Sequence, residues 1–429
     1  MYIKRLIIEN LRGFREVDFD FSRPDASYAG WTVITGANAS GKTTLLKALA
    51  LALVGTDVAR ALQPSLKGWV KIGEGEGAIA VEIVAGEKDI FVQGRRYERP
   101  FWSELKLAEN GGPEVSLGVG HKYRKKDLGP THGPWAENPT GWFSAGYGPF
   151  RRLYGASSDA QRIMSGPSKI ARFATMFRED ATLGECEQWL IDLKHKELEK
   201  RQKETEILSQ IMALLNDDFL RNGLQVEKID SEGLWLRDST DTVLLLSEMS
   251  DGYRAALAML VDLLRHLVDS YGHEGLVKNT TNGWVSPHSG VVLIDEVDSH
   301  LHPEWQRQIG FWLKKRFPHI QFIVTTHSAL ICQAADEHGI FHLPPPGSVE
   351  GPFRIKDPEY WKIVKSTTDT IYLSSAFSMQ FTRSPRAVAE RNKYAELRAK
   401  QQAVGLSAEE SKEITQASLF VENGDGEVR

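Results

Sequence analysis

The chain has 429 residues, of which 41% are hydrophobic and 25% are charged, and its formal net charge is −5. This length can bury one large core with insertions or two to three separate cores, and the composition is typical of globular proteins. The negative charge argues against a surface dominated by nucleic-acid binding, although it leaves room for a local basic groove. Two distant cysteines, Cys186 and Cys332, predict a reducing cytoplasm without a disulfide framework, and no apolar run reaches the ~18 residues of a membrane span.

The first predicted elements are strands followed by a helix. The segments YIKRLIIEN and EVDFDF alternate apolar and polar residues, which predicts two strands joined by a turn. The segment WTVITGANASGKTTLLKALALALVG predicts a buried strand, a glycine-rich loop and a helix that ends at Gly55. Between Arg95 and Thr140 the chain is rich in glycine, proline and charge, so we expect loops there.

Later segments continue the alternation of helix and strand. A single long helix is predicted over Gly184–Phe219, because apolar residues recur there at helical spacing. Two buried strands follow, GVVLIDE and HIQFIVTTHS, separated by the amphipathic segment EWQRQIGFWLKKRF. Two polar helices are expected at 386–402 and 407–420.

A phosphate-binding loop is the strongest chemical signal. The segment from Gly36 to Thr43 matches G-x-x-x-x-G-K-[ST] between a predicted strand and a predicted helix. Its N–H groups would point at phosphate oxygens, Lys42 would neutralise the β and γ phosphates, and Thr43 would offer its hydroxyl to Mg²⁺. We therefore predict that ATP and Mg²⁺ bind here. The predicted nucleotide contacts in this loop are Gly36, Asn38, Ser40, Gly41, Lys42, Thr43 and Thr44.

Two carboxylates and a histidine end the later buried strands. Asp295 and Glu296 follow the apolar run VVLI. A carboxylate at a strand tip can hold Mg²⁺, and a second one beside it can orient the attacking water. His327 ends the next strand, where its imidazole could reach the γ-phosphate. We predict catalytic roles for Lys42, Glu296 and His327. We predict metal binding by Thr43 and Asp295.

The segment MSDGYR, residues 249–254, stands where another helix begins. Ser250 or Asp251 could cap that helix by accepting hydrogen bonds from its first N–H groups. Gly252 is a poor helix former, which suggests that another group comes close to the backbone. A helix N-terminus with a hydroxyl and a bare glycine N–H also suits an anion.

The order of these motifs resembles that of the ABC-type ATPase heads of the SMC, RecF and OLD families. The motifs are the P-loop, a long insertion, MSDGYR, LIDEVDSHLHP and TTHS, over residues 1–55 and 244–342. The sequence most resembles the stand-alone bacterial ATPases of anti-phage systems, such as PtuA of Septu and AriA of PARIS. The resemblance implies an α/β fold, a P-loop ABC-type ATPase head with a mixed sheet. It also implies a short helical insertion instead of long coiled-coil arms, and a helical C-terminal extension.

The resemblance also assigns roles around the nucleotide. In such heads two molecules enclose two ATPs. The signature motif of one molecule, which corresponds to residues 249–253 here, faces the γ-phosphate bound by the other. This arrangement implies nucleotide contacts by Ser250 and Gly252. Arg12 matches an N-terminal arginine that reaches the nucleotide, and a solvated turn arginine is the alternative. The segment SAGYGPFRRL stands where a Q-loop is expected but has no glutamine. There, Arg151 and Arg152 either contact phosphate or a partner, or form a charged turn.

Four parts are predicted along the chain. Residues 1–95 form the N-terminal lobe with the P-loop, and residues 96–240 form the insertion. Residues 241–345 form the C-terminal lobe with the signature, and residues 346–429 form the helical extension. The helix predicted over Gly184–Phe219 has about ten turns, which is too short for the coiled-coil arms of SMC proteins. We therefore expect it to act as a short lever or a dimer contact.

Three functions are compatible with this sequence. The first is an ATPase that dimerises head to head around ATP and controls a separate effector, a nuclease or toxin, in bacterial anti-phage defence. The second is a RecF-like DNA-repair ATPase, in which the basic segments 94–96 and 121–126 could contact the phosphate backbone. The third is a scaffold that binds ATP with little hydrolysis. In each case we expect a cytoplasmic homo-oligomer without a membrane partner.

Overall fold

A computed structural model describes residues 1–92, 94, 99–109, 115–124, 128–221 and 223–422. These residues form two compact units, Met1–Ser366 and Thr367–Arg429. The boundary between the units lies within the predicted C-terminal extension. The division at residues 95, 240 and 345 stays a prediction.

The strands all belong to the first unit. They are β1 (Tyr2–Leu11), β2 (Phe14–Asp20), β3 (Gly30–Gly36), β4 (Glu76–Val84), β5 (Phe101–Glu109), β6 (Val115–Val119), β7 (Ser144–Tyr147), β8 (Gln225–Asp230), β9 (Gly233–Arg237), β10 (Val243–Leu245), β11 (Lys278–Thr280), β12 (Gly283–Val285), β13 (Gly290–Ile294), β14 (Ile320–Thr325), β15 (Ile340–Leu343) and β16 (Phe353–Arg354). Among the described residues they build a mixed sheet, an antiparallel sheet in the order β2-β1-β4-β5-β6, and two small sheets, β10-β9-β8 and β11-β12.

Helices cover the sheets of the first unit and make up the second unit. In the first unit they are α1 (Lys42–Val54), α2 (Thr56–Leu62), α3 (Gly129–His132), α4 (Ser158–Met164), α5 (Ser168–Phe177), α6 (Gly184–Leu198), α7 (Gln202–Leu215), α8 (Asp251–Tyr271), α9 (Pro303–Arg316), α10 (Ala329–Cys332) and α11 (Glu359–Lys365). In the second unit they are α12 (Thr368–Tyr372), α13 (Pro385–Ala403) and α14 (Ala408–Glu422).

The mixed sheet has the strand order β16-β15-β3-β14-β13-β7. All neighbours from β15 to β7 are parallel, and β16 pairs antiparallel with β15 at one edge. β13 and β14 are buried along their whole length, which explains their unbroken apolar runs. The carboxyl ends of parallel strands meet at one edge, so the segments that follow β3, β14, β13 and β7 come together. The predicted α/β fold with a mixed sheet is confirmed.

Helix α1 packs between the two large sheets. It contacts β4 and β5 of the antiparallel sheet and β3 and β13 of the mixed sheet. Its leucines and alanines are buried around the whole circumference, as expected for a helix enclosed on all sides. It ends at Val54, because Gly55 takes a φ of 83° that stops the helix. The predicted end at Gly55 is confirmed.

The prediction of loops between Arg95 and Thr140 is wrong for part of that segment. β5 and β6 lie within it and extend the antiparallel sheet beyond β4. Polar residues of β5 obscure the alternation, because Ser103 faces the core and donates from Oγ to the carbonyl oxygen of Ala52 at 2.5 Å. Glu104 is buried too, and its carboxylate accepts from three consecutive backbone N–H groups, those of residues 122–124.

The single long helix predicted over Gly184–Phe219 is also wrong. The chain forms α6 and α7, which pack against each other across a break at 199–201. At the break, Lys200 takes a left-handed φ of 64°. The break falls within the charged stretch ELEKRQKE, which offers a continuous helix little apolar surface to bury. The insertion therefore has a pair of short helices at this place, and a short helical insertion in place of long arms is confirmed.

In the second unit, α13 and α14 pack against each other. Leu397 is buried on α13, and Lys400 of α13 pairs with Glu410 of α14 at 2.6 Å. Ile414 is buried on α14, and the predicted helical C-terminal extension is confirmed. No helix in the described part of the chain combines the length and apolar character needed to cross a bilayer.

His288 is a buried histidine of the first unit. Its ring stacks on that of Tyr271 with centroids 4.5 Å apart, and its Nδ1 accepts from Lys88 Nζ at 3.3 Å. Burial, together with the positive charges of Lys88 and Lys278, lowers the pKa of His288 from 6.5 to about 4. The folded protein therefore favours the neutral ring.

This histidine is expected to make folding stability depend on pH. The unfolded chain binds the proton more tightly, so His288 stabilises the fold fully above pH 6.5, and this contribution is lost as the pH falls toward 4. The loss amounts to about 3 kcal/mol at pH 4. Denaturant unfolding of His288→Phe, which keeps an aromatic ring against Tyr271, should show a pH dependence weaker by that amount. Replacing the exposed His319 with Gln is the control, and an equal pH dependence in all three proteins would contradict the prediction.

Candidate nucleotide-binding site

The P-loop joins β3 to α1. Gly41 takes a φ of 96°, and a Cβ there would lie 2.5 Å from the ring of Phe14, so this position requires glycine. Ser40 is buried, and its Oγ has no hydrogen-bond partner among the described residues. Asn38 is exposed on the same loop. A buried hydroxyl left over at a helix N-terminus is a donor that a phosphate oxygen would satisfy.

Lys42 lies at the start of α1 with its ammonium turned back into the loop. Its Nζ donates to the carbonyl oxygens of Gly36 at 2.9 Å and Ala37 at 3.0 Å. Burial lowers the pKa of Lys42, and the charges of Asp295 and Glu296 act in the opposite direction. Because both partners are neutral carbonyls, the ammonium can exchange them for phosphate oxygens without breaking an ion pair.

Thr43 and Asp295, the two predicted metal ligands, are in direct contact. Thr43 Oγ1 donates to Asp295 Oδ2 at 2.7 Å, which joins the P-loop to the end of β13. Thr325, at the end of β14, donates from Oγ1 to the other carboxylate oxygen of Asp295 at 2.6 Å. A hydroxyl and a carboxylate side by side are oxygen ligands of the kind that Mg²⁺ takes. The arrangement therefore fits a Mg²⁺ held by Thr43 and Asp295.

Glu296 follows Asp295 in an unusual backbone conformation. Its φ is 45°, in the left-handed region that few residues with a side chain adopt. Its N–H donates to Thr325 Oγ1 at 2.7 Å, and its Oε2 accepts from Ser299 Oγ at 3.1 Å. Strained residues of this kind cluster at functional sites, where surrounding bonds hold them in place.

His327 lies beyond the end of β14, next to these carboxylates. Burial lowers the pKa of His327, as does the charge of Lys42, while the carboxylates of Asp298 and Glu296 oppose the shift. Asp298 fixes the turn by accepting from Thr326 Oγ1 at 2.5 Å and from the His327 backbone N–H at 3.3 Å. The folded protein therefore favours the neutral form of this ring.

Arg12 lies beside the P-loop. Its Nη1 donates to Thr44 Oγ1 at 3.1 Å, and its guanidinium lies 4.6 Å from the ring centroid of Trp69. Together with Ser40 and Lys71, Arg12 lines a cavity of about 690 Å³ whose far wall is the loop 344–352. This position favours a nucleotide contact over a solvated turn arginine.

The signature residues lie at the start of α8. Ser250 takes the N-cap position, but its side chain makes no capping hydrogen bond, so the capping role predicted for it is wrong. A Cβ on Gly252 would lie 2.5 Å from the carbonyl oxygen of His300, so the close approach that requires glycine is made by the same chain. The cavity of about 250 Å³ at Ser250 and Gly252 shares no lining residue with the cavity beside the P-loop.

Asp251 does not leave an isolated negative charge in the signature. It pairs with Arg254 one turn later on α8, and Arg254 also donates to the carbonyl oxygen of Ser247 at 3.2 Å. The usual ABC signature has a glycine at the position of Asp251. The positive charge of Arg254 offsets the negative charge that the aspartate adds there. The helix start therefore remains compatible with an anion.

Arg151 has a position that the sequence did not indicate. It is buried, and its guanidinium donates to the carbonyl oxygens of Gly148, Asp295 and Glu296 at 2.8, 2.8 and 3.0 Å. It is neither part of a solvated charged turn nor free to meet a partner. Arg152, its neighbour, is exposed and lies over the ring of Phe150.

The basic segments predicted as phosphate contacts are only partly described. Arg95, Arg96, Lys125 and Lys126 lie outside the described residues. Lys122, which is described, pairs with Glu9 at 2.5 Å. Its charge is therefore already engaged within the chain.

Two family models match the sequence. Residues 156–333 match the model described as "AAA domain, putative AbiEii toxin, Type IV TA system", and residues 5–100 match a model described as "AAA domain". Together they include the P-loop, the signature, both strand-end carboxylates and His327. Both models are described as AAA domains.

Individual proteins are similar to the chain as well. The Septu protein PtuA of Bacillus mycoides (strain KBAB4) is 24% identical over 332 residues, which cover 77% of this chain and 38% of that protein. The Retron Ec83 probable ATPase of Escherichia coli is 40% identical over 106 residues, 25% of this chain and 18% of that protein. An SMC head bound to the C-winged helix domain of ScpA covers 84% of this chain and all of that one, with a TM-score of 0.49 and 16% identity. The chain spans well under half the length of the curated relatives it matches.

These matches agree with the arrangement of the site. The P-loop, the carboxylates after β13 and the histidine after β14 meet at one edge of a parallel sheet, and the signature begins a long helix before them. The aligned segments make up 38% and 18% of these two relatives. Residues 5–100 and 156–333 therefore match AAA domains, and the chain is similar to the Septu protein PtuA and to retron ATPases.

Proposed function

We propose that the chain hydrolyses ATP with the residues assembled at the edge of the mixed sheet. The observation that carries this proposal is the 2.7 Å contact between Thr43 Oγ1 and Asp295 Oδ2, which brings the P-loop and the strand-end carboxylates into one site. Mg²⁺ held by these two residues would offset the charge of the β and γ phosphates. Lys42 would bind the same phosphates from the other side of the loop.

Glu296 is the residue that we propose to act on water. Its carboxylate lies next to the metal ligand Asp295, and it accepts only one side-chain hydrogen bond among the described residues, from Ser299. It can therefore orient a water molecule and accept its proton. His327, whose neutral form is favoured by burial, can donate a hydrogen bond to the γ-phosphate.

A second copy of the chain would complete the site. The signature cavity and the P-loop cavity are separate, and Ser250 has an exposed hydroxyl that is not used for capping. In a head-to-head dimer, Ser250 and the N–H groups at the start of α8 would meet the phosphates bound by the partner. The Asp251–Arg254 pair keeps that surface from repelling them.

We further propose that this ATP-dependent dimer controls a separate effector, a nuclease or toxin, in anti-phage defence. The similarity to the Septu protein PtuA over 77% of the chain supports this role. The second unit offers a surface for such a partner, because the segments between its helices carry exposed apolar residues such as Phe381 and Val404. The chemistry of the ATP site would then set when the effector is released or activated.

Replacing Lys42 with alanine tests both the proposed ATP hydrolysis and the proposed role in anti-phage defence. The variant should lose ATP binding and hydrolysis, because the site loses its only P-loop ammonium and two carbonyls lose their donor. Calorimetry with ATP and Mg²⁺ and a phosphate-release assay measure the two effects. In cells that carry the native gene with its neighbours, Lys42→Ala should also raise the plating efficiency of phages that the wild-type locus restricts.

Lys106→Ala is the matched control, since Lys106 is an exposed lysine in a surface ion pair with Glu76. If the Lys42→Ala variant still hydrolyses ATP, the proposed ATP-hydrolysis site is wrong. Loss of hydrolysis with unchanged phage restriction would disprove the defence role alone. Tight binding of the purified chain to gapped duplex DNA at physiological salt would favour the DNA-repair alternative instead.

A further inference from the structure

We propose that Arg151 is a positioning residue that holds Glu296 in the geometry needed for hydrolysis. The inference rests on the proposed role of Glu296. Arg151 lies in the segment where a Q-loop is expected, and its guanidinium contacts backbone carbonyl oxygens. Arg151 donates hydrogen bonds to the backbone carbonyl oxygens of Asp295 and Glu296, and these bonds do not involve the Glu296 carboxylate.

The guanidinium ties two strand ends together. One nitrogen, Nη1, donates to the carbonyl oxygens of Gly148, just after β7, and Asp295, just after β13, both at 2.8 Å. The other, Nη2, donates to the carbonyl oxygen of Glu296 at 3.0 Å. Two consecutive carbonyls after β13 are thus held by one rigid planar group, and that group is fixed in turn to the neighbouring strand.

These bonds act on a residue of the site that has a left-handed backbone conformation. Glu296 has a φ of 45°, and its N–H is held by Thr325 Oγ1 at 2.7 Å. Arg151 holds the carbonyl at the other end of the same residue. With both ends of the left-handed residue fixed, the direction of its Cα–Cβ bond is fixed as well. Without Arg151 the peptide can relax to an ordinary conformation and move the carboxylate away from the water it orients.

An arginine is the side chain that suits this place. Its partners are three neutral carbonyls spread over two strand ends, which a planar fork can reach together and a single ammonium cannot. Arg151 is buried, and burial lowers its pKa to about 10, so it stays charged at neutral pH. The charges of Asp295 and Asp298 oppose the effect of burial on this pKa.

The test is a kinetic comparison of Arg151→Lys and Arg151→Met with the wild-type full-length chain. We expect kcat for ATP to fall about 10-fold for Arg151→Lys and about 100-fold for Arg151→Met, with KM changed less than threefold, because misplacing a catalytic group by an ångström has effects of this size. Arg152→Met, at the exposed neighbouring arginine, should keep wild-type kcat. Circular dichroism and ATP binding establish that each variant is folded. If Arg151→Met does not fold, Arg151→Lys carries the test.

A double-mutant cycle separates positioning from general damage to the fold. In a Glu296→Gln background, Arg151→Lys should lower the residual rate less than twofold, because the residue through which it acts is already disabled. An equal loss in both backgrounds, or wild-type kcat in folded Arg151→Lys, would overturn the inference while leaving the ATPase proposal intact. A Glu296→Gln chain that hydrolyses ATP at the wild-type rate would overturn the proposed function, and this inference with it.

Discussion

Replacing Glu296 with glutamine is expected to lower kcat for ATP by about 10²- to 10³-fold while leaving ATP binding intact. The substitution removes the proton acceptor but keeps the shape of the side chain. The amide oxygen can still accept from Ser299 Oγ, and the backbone contacts of residue 296 to Thr325 and Arg151 are unchanged in kind. Single-turnover phosphate release and fluorescent-nucleotide binding measure the two quantities.

The same variant should accumulate as an ATP-bound dimer, since hydrolysis no longer reopens it. Light scattering with and without ATP and Mg²⁺ would show this as a shift from one to two copies. Glu87→Gln, which removes an exposed carboxylate, is the charge-matched control. A Glu296→Gln rate within threefold of wild type would mean that another group activates water.

The parts of this site that could be predicted are those encoded by neighbours in sequence. The P-loop is a contiguous motif, and Asp295 and Glu296 directly follow a run of buried residues whose apolar character is plain. Parallel strand ends meet at one edge of a sheet, so the meeting of these segments also followed from the pattern. In the structure Thr43 Oγ1 lies 2.7 Å from Asp295 Oδ2, and binding of Mg²⁺ by these two residues stays a prediction.

The parts that could not be predicted depend on contacts between distant segments. Thr325 bonds both Asp295 and the backbone of Glu296, and nothing about a threonine at a strand end indicates this. Arg151 follows an aromatic strand in a segment with the composition of a turn, yet it is buried against carbonyls that lie 144 and 145 positions further along the chain. A charged residue is buried only when such partners exist, and sequence periodicity does not report them.

The errors in the fold have similar causes. The apolar spacing over Gly184–Phe219 is helical throughout, so periodicity alone joined α6 to α7 across the break at Lys200. In β5 the inward position of Ser103 interrupts the alternation, and its hydroxyl is satisfied by a carbonyl of α1 that only the tertiary structure provides. In both places tertiary packing determines the secondary structure, which the local sequence pattern does not specify.

Replacing Ser250 with arginine is expected to abolish ATP-driven dimerisation while leaving fold and ATP binding intact. Ser250 is exposed and its side chain caps nothing, so the monomer loses no hydrogen bond. The long cationic side chain would fill the space in front of Gly252, where the phosphates of the partner must approach. In a Glu296→Gln background the variant should stay monomeric with ATP and Mg²⁺, and its nucleotide affinity should stay within about threefold, a change below 1 kcal/mol.

Two controls separate this effect from loss of a helix cap or a simple gain of charge. Ser157 caps α4 by accepting from the Ala160 backbone N–H at 3.1 Å, so Ser157→Ala should cost about 1 kcal/mol of stability, whereas Ser250→Ala should cost much less. Ser209→Arg places the same charge on an exposed position of α7 and should leave dimerisation unchanged. If Ser250→Arg still dimerised with ATP, the signature would not face the nucleotide of the partner. The unused hydroxyl of Ser250 and the bare N–H of Gly252 would then need another ligand.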